Sequence, residues 1–272
     1  MWEPLLPIIA FFVGIVAAMA GVGGGVFIVP ALLIFYGFEP AVASGTSIAM
    51  IIFTSLSSTF RYSRQKRIDH LLGLALASTT IPGAFLGSWL TALVDKQVLG
   101  LTFAFFLIFV ALRMLVGKES LEKYENVETA KGGKVRRLVD NYGKVFTYSV
   151  NFWLIPFLGL VAGFFSGLLG IGGGSVLVPA MNLGIGVPIH ITVATSMFIM
   201  IFTSISGTLT HMWLGHIRFE YVVLLVIGII FGAQIGAHYA TKVSPKNLRR
   251  LFSIILLVAS IRMILKFTYL IP

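Results

Sequence analysis

The chain contains no cysteine in its 272 residues. Disulfides, thiolate metal sites and thiol redox chemistry are therefore excluded. Charge is also scarce: Asp, Glu, Lys and Arg make up 11% of the chain, against about 25% in a soluble domain. The acidic residues are Glu3, Glu39, Asp69, Asp95, Glu119, Glu122, Glu125, Glu128, Asp140 and Glu220. All fall at the ends of apolar runs or between them. A cation carrier or a carboxylate proton relay needs an acid in mid-membrane, so neither is expected. The opening Met1-Trp2-Glu3-Pro4 has neither a basic n-region nor a small-residue cleavage site. A removable signal peptide is therefore not expected, and the first apolar segment should persist. There is no G-x-S-x-G nucleophile elbow. An intramembrane hydrolase is not expected, nor is a cofactor.

What fills the chain is apolar. Hydrophobic residues make up 57% of it and mean hydropathy is +0.97, so it reads as an integral membrane protein. The net charge of +10 is then assigned to cytoplasmic Lys/Arg loops rather than to nucleic acid.

One stretch occurs twice. Residues 21–31 read GVGGGVFIVPA and residues 170–180 read GIGGGSVLVPA, an offset of 170 − 21 = 149. The same offset carries Thr46-Ser47 onto Thr195-Ser196, Gly83 and Gly87 onto Gly232 and Gly236, and Arg113 onto Arg262. A gapless repeat of this kind in an apolar chain points to a transporter built from two halves.

The apolar runs are 5–20, 26–38, 41–60, 71–94 and 98–116, then 150–168, 175–187, 190–213, 220–241 and 248–270. The last three of each half can span about 30 Å of hydrocarbon. The first two of each half are interrupted by glycine, and 26–38 as a helix reaches only about 20 Å. Short, Gly/Pro-broken segments at matching places in two halves mark a transport site.

Loop 61–69 carries Arg61, Arg64, Lys66 and Arg67; its mate 210–218 carries only Arg218 and two histidines. The loop after the fourth run reverses the bias, with Lys96 alone in the first half and Lys242, Lys246, Arg249 and Arg250 in the second. The positive-inside rule puts 61–69 and 242–250 both in the cytoplasm, so equivalent loops face opposite sides. The expected fold is an all-α polytopic membrane protein with two inverted repeats, 1–116 and 146–272. A charged cytoplasmic linker, 117–145, joins them, and both termini lie outside. Eight to ten membrane segments follow, with glycine-broken helices or re-entrant hairpins.

Glycine admits positive φ and close approach of a ligand or another backbone. Gly21, Gly23, Gly24 and Gly25, with Gly170, Gly172, Gly173 and Gly174, can present free N–H groups as an anion nest. The helices that follow point their N-termini at the same place. Pro30 and Pro179 can kink or restart those helices. Thr46, Ser47, Thr195 and Ser196 are candidate hydroxyl donors, as is Ser175 beside the second glycine run. Ser47, Thr54 and Ser58 share one helix face. Gln234 is a further candidate donor, and His238 could titrate or pair. The alternative for each is structural: close helix packing for the glycines, and back-bonding or interhelical contacts for the polar side chains. His190, His211 and His216 are expected at the interface, and Arg113 and Arg262 to snorkel.

The doubled G-x-G-G-G-x-x-x-x-P with downstream Thr-Ser resembles the sulfite exporter TauE/SafE family over essentially the whole chain. Gly21, Gly23, Gly24, Gly25 and Pro30 match its first signature, and Gly170, Gly172, Gly173, Gly174 and Pro179 its second. The resemblance implies transport of sulfur-containing anions such as sulfite, thiosulfate or organosulfonates across the cytoplasmic membrane of a prokaryote. The residues themselves imply a small anion. An exporter working by alternating access, an anion channel, and a carrier of another anion such as a carboxylate or sulfate all remain open, as does a homo-oligomer.

Overall fold

The computed structural model describes residues 5–116, 134–240 and 245–268. The first half comprises α1 (Leu6–Ala20), α2 (Gly25–Phe35), α3 (Pro40–Arg64), α4 (His70–Leu90) and α5 (Lys96–Val116). A hairpin follows, β1 (Lys134–Val139) and β2 (Val145–Val150). The second half comprises α6 (Ile155–Leu169), α7 (Gly174–Pro179), α8 (Ile189–Trp213), α9 (Phe219–Tyr239) and α10 (Pro245–Phe267). Among the described residues six helical segments are long and apolar enough to cross a membrane. The protein is thus a multi-pass, helical membrane protein. Lys242 and residues 117–133 lie outside the described residues.

Local sequence sets the helix ends. α1 stops at Gly21, whose φ of 73° is left-handed and whose N–H returns to the Ala17 carbonyl. α6 stops in the same way at Gly170, with φ 66°. α3 opens on Pro40, after an extended Glu39. α4 is capped by Asp69, whose side chain accepts from the Leu72 N–H. The two prolines act differently. Pro30 lies within a continuous α2. Pro179 closes α7, and a π-helical turn, Ala180–Ile185, continues the chain.

Short helices exchange partners between the halves. α1 packs on α9 and α6 on α4, while α3 and α8 meet in the middle and α5 lies on α10. With lipid on the outside, such contacts depend on backbone proximity through small residues. A Cβ at Gly232 would lie 2.0 Å from the Phe11 carbonyl, and one at Gly87 2.0 Å from the Phe164 carbonyl. The repeated glycines of α4 and α9 are packing residues.

Residues 134–150, part of which the sequence reads only as charged linker, form an antiparallel hairpin in which Arg136 pairs with Tyr148 and Leu138 with Phe146. Alternation puts Phe146, Tyr148 and Val150 on one buried face. They join a core with Leu72 and Leu76 of α4, Leu177 of α7, and Ile191 and Ile199 of α8. An isolated two-stranded hairpin is marginal in water, so this one owes its order to docking.

Candidate functional site

The breaks between α1 and α2 and between α6 and α7 meet each other. A Cβ on Gly25 would lie 2.3 Å from the Gly170 carbonyl, and one on Gly174 2.2 Å from the Gly21 carbonyl. These reciprocal contacts are spaced by the same offset as the sequence repeat. Gly21, Gly23 and Gly24 have φ of 73°, 78° and 95°, and Gly170, Gly172 and Gly173 have 66°, 80° and 78°. A side chain would strain all six, and the fourth glycine of each run touches the opposite backbone. Both runs are buried. Gly23 and Gly172 both lie against Ile51 of α3 and Met200 of α8, which seal the contact. The N–H groups of Phe27 and Ile28 bond the Gly24 carbonyl and those of Val176 and Leu177 the Gly173 carbonyl, while the first two N–H groups of α2 and α7 precede their helical ladders.

The Thr-Ser pairs act as two distinct devices. Ser47 Oγ donates to the Gly170 carbonyl at 2.9 Å, and Ser196 Oγ donates to the Gly21 carbonyl at 2.9 Å. Each serine thus holds the glycine tip of the other half. Thr46 Oγ1 accepts the Arg218 N–H at 3.1 Å, and Thr195 Oγ1 accepts the Asp69 N–H at 3.0 Å. Each threonine anchors the residue that starts the α9 or α4 helix. The later hydroxyls divide: Thr54 and Ser204 bond the Met50 and Met200 carbonyls of their own helices, Ser57 and Ser206 bond the Ile230 and Ile81 carbonyls of neighbouring helices, and Ser58, Thr59 and Thr208 have no hydrogen-bond partner among the described residues.

Two hydroxyls at the second tip have no hydrogen-bond partner among the described residues, Ser166 and Ser175, and both are buried. Ser166 flanks Gly173, where a Cβ would lie 3.3 Å from the serine Cβ. Ser175 stands next to the glycine run in the sequence, whereas Ser166 is separated from it and has no repeat mate. The available signal was that Ser166 is the one hydroxyl in the apolar run of α6.

Gln234 lies elsewhere. Its Nε2 donates to the Ser57 carbonyl at 3.0 Å, tying α9 to α3. His238 pairs with Arg61. His211 lies in the last turn of α8, is fully buried, and its Nε2 bonds the Gly167 carbonyl at 3.0 Å. Tyr62, its mate at the repeat offset, bonds the Ala18 carbonyl at 2.8 Å in the same manner. Around His216, burial pushes the imidazole pKa down and the Glu39 charge only partly offsets it.

The acidic residues missing from mid-membrane reappear at one end of the bundle. Asp69 accepts Arg136 Nε at 2.9 Å and the Tyr148 hydroxyl at 2.6 Å. Asp140, in the hairpin turn, accepts Arg67 Nε at 3.1 Å and also the Tyr142 and Lys144 N–H groups. Burial alone would raise the Asp69 carboxyl. The hydrogen bonds from Arg136, Tyr148 and the Leu72 N–H, with the Arg136 charge, hold it below its ordinary value. Asp140 is lowered likewise, burial being outweighed by the bonds from Arg67, Lys144 and Tyr142.

The crossed glycine tips and swapped serine bonds can be set beside known proteins. The profile of the family described as sulfite exporter TauE/SafE matches residues 6–263. The chain belongs to the TauE/SafE family. Within that family it is 34% identical over 267 residues to the probable membrane transporter protein YunE of Bacillus subtilis, covering 96% of each chain. It is 29% identical over 279 residues to a probable membrane transporter protein of Methanocaldococcus jannaschii, covering 96% of this chain and 95% of that one. A second Bacillus subtilis relative, probable membrane transporter protein YdhB, is 26% identical over 242 residues. No solved structure matches. Both glycine runs of this TauE/SafE chain fall within the matched residues.

Proposed function

We propose that this chain is a membrane transporter of small sulfur-containing anions, with sulfite, thiosulfate and short organosulfonates as the candidate substrates. It would work as an exporter in the cytoplasmic membrane of a prokaryote. The observation that carries this reading is the meeting of the two glycine tips beside the unbonded Ser166 and Ser175 hydroxyls. N–H groups at the two helix starts and two buried hydroxyls would supply hydrogen-bond donors to an oxyanion, which brings acceptors but no hydrogens. The family description supports the sulfur-anion class, and relatives named as probable membrane transporters support transport.

The seal of Ile51 and Met200 over Gly23 and Gly172 favours alternating access over an open pore. In this reading the halves are inverted repeats, both termini face outside, and the tips part on one side at a time. Export of an anion is favoured by a negative-inside potential, at about 2.3 kcal/mol per charge per 100 mV. Net efflux then requires no coupling ion.

The test is uptake of sulfite, thiosulfate, methanesulfonate, sulfate and chloride into liposomes holding the purified protein. Saturable flux of a sulfur anion is expected. Ser166→Ala and Ser175→Ala should each weaken apparent affinity by about ten- to hundredfold, the effect of losing a hydrogen bond to a charged ligand. Flux that saturates identically in both variants would remove these hydroxyls from the site.

A further inference from the structure

We propose that the hairpin Lys134–Val150 is a gate over one entrance to the glycine-tip site, latched shut by the Asp69–Arg136 and Arg67–Asp140 ion pairs. The proposal rests on reading the tips as the site. Only three bonded steps separate the hairpin from it. Arg136 and Tyr148 hold the Asp69 carboxylate. The Asp69 N–H rests on Thr195. The neighbouring Ser196 holds the Gly21 carbonyl.

Comparison of positions separated by the repeat offset shows what the hairpin adds. Asp69 and Arg218 are mates, since 69 + 149 = 218, and both are anchored by the threonine of a Thr-Ser pair. Asp69 is 1% exposed beneath the hairpin. Arg218 is exposed. Among the described residues no side-chain partner is assigned to it, and no hairpin covers that end. Arg67 is buried against Asp140. Its mate His216 instead faces His211 and Thr91. Two similar approaches to the tips therefore end differently, one under a cover and one not.

The cover is fastened at three places. The strands present Arg136 and Tyr148, a cross-strand pair, to one carboxylate. The turn presents Asp140 to Arg67 at 2.8 Å, and the Asn141 N–H to the Gln65 carbonyl at 3.0 Å. Gln65 in turn donates to the Ala237 carbonyl of α9 at 3.1 Å. Phe146 and Val150 close the apolar seal against α4, α7 and α8. A substrate entering at this end cannot reach Thr195 while these contacts hold, so the hairpin has to lift in each transport cycle.

The absence of native cysteine makes the test direct. Thr195→Cys supplies the sole thiol, and its reaction with a membrane-impermeant maleimide is followed in vesicles exposing the hairpin face. Slow labelling is expected, rising about tenfold or more when Arg136→Ala is added, with Arg136→Lys in between. Thr46→Cys, labelled from the opposite face, should not respond to Arg136→Ala. Separately, Gln65→Cys with Asn141→Cys places two thiols on backbones already hydrogen-bonded to each other. Oxidation should stop methanesulfonate flux and reduction should restore it, which also shows that the doubly substituted protein is folded. Equal Thr195→Cys labelling with and without the latch, or full flux through the oxidised protein, overturns the gate. If no anion moves through the unsubstituted protein, the transport reading fails and the labelling alone decides the gate.

Discussion

At the scale of single residues, the two glycine runs divide into two kinds of position with different consequences. Gly24 and Gly173 need a left-handed backbone but have side-chain neighbours at 3.1 Å and backbone or side-chain neighbours at 3.2 Å or more. Alanine there costs about 1–2 kcal/mol of backbone strain. Gly25 and Gly174 have ordinary helical φ but touch the opposite carbonyl. Alanine there must push the tips apart. Thermal unfolding in detergent should therefore show Gly25→Ala and Gly174→Ala lowering the midpoint well beyond Gly24→Ala and Gly173→Ala. The reverse order would mean that the tips are not in contact.

The hydroxyls show how far side-chain chemistry can be read from sequence. Thr46-Ser47 and Thr195-Ser196 stand out because they repeat, yet the repeat alone does not say that serine and threonine have separate duties. In the fold each serine holds a glycine tip and each threonine holds a helix start. Ser166 is the one hydroxyl in the apolar run of α6 but has no mate in the first half, where Ala17 occupies its place. Its place beside the second glycine tip arises only when the chain folds back at Gly170–Gly173. Gln234 was conspicuous as a polar residue in an apolar run, and its amide is occupied by the Ser57 carbonyl.

At the scale of elements, hydropathy locates helices well because each run must cover its own backbone in lipid. The interruptions at Gly21–Gly24 and Gly170–Gly173 fall where the sequence places them. The hairpin was not legible. Its strands, KVRRLV and VFTYSV, are short and one is strongly basic. Their partners, Asp69 and Arg67, lie about 70 residues away in the chain, which local periodicity cannot reveal.

The hairpin's response to pH has a definite sign. Both latch carboxylates, Asp69 and Asp140, are held below their ordinary values in the folded protein. Their contribution is fully present above the ordinary carboxylate pKa of about 3.9 and is lost as pH falls through the lower folded values. The groups facing them are Arg136, Tyr148 and Arg67; the arginines stay charged throughout. Burial and the Asp69 charge raise the Tyr148 hydroxyl, so it stays protonated as well. Hydrogen exchange of the β1 and β2 amides should therefore show constant protection from about pH 5 to 8 and release only in strong acid. Loss of protection near neutrality would contradict the buried ion pairs.

The same scale tests the helix pairs. A methyl-bearing residue at Gly87 or Gly232 meets a carbonyl at 2.0 Å and must displace a whole helix. Gly87→Val and Gly232→Val should each destabilise the protein strongly, by more than about 3 kcal/mol as overpacking against rigid backbone. Chemical denaturation in micelles measures this. Values under 1 kcal/mol would show that α4 and α6, or α1 and α9, are not in backbone contact.

At the scale of the whole molecule, the prediction concerns sidedness. If the halves are inverted as proposed, reporter tags inserted between α3 and α4 and near 242–250 should both report cytoplasm, because the basic residues cluster there in the two halves. Opposite sides would reduce the repeat to parallel halves. The structure supplies a related observation: Tyr62 to Ala18 and His211 to Gly167 are the same bond made twice at the repeat offset.

The exchange of partners between halves also bears on how the protein is made. α1 ends at Ala20, and its packing partner α9 begins at Phe219, so 219 − 20 = 199 positions separate them in the chain. At the usual 5–20 residues per second, ribosomes reach α9 about 10–40 s after α1 emerges. During that interval a helix of 15 residues, too short to span the bilayer, lacks the glycine face of α9 on which its backbone comes to rest. The nascent first half must therefore be tended, by the insertion machinery or by lipid, until the second half arrives to receive it.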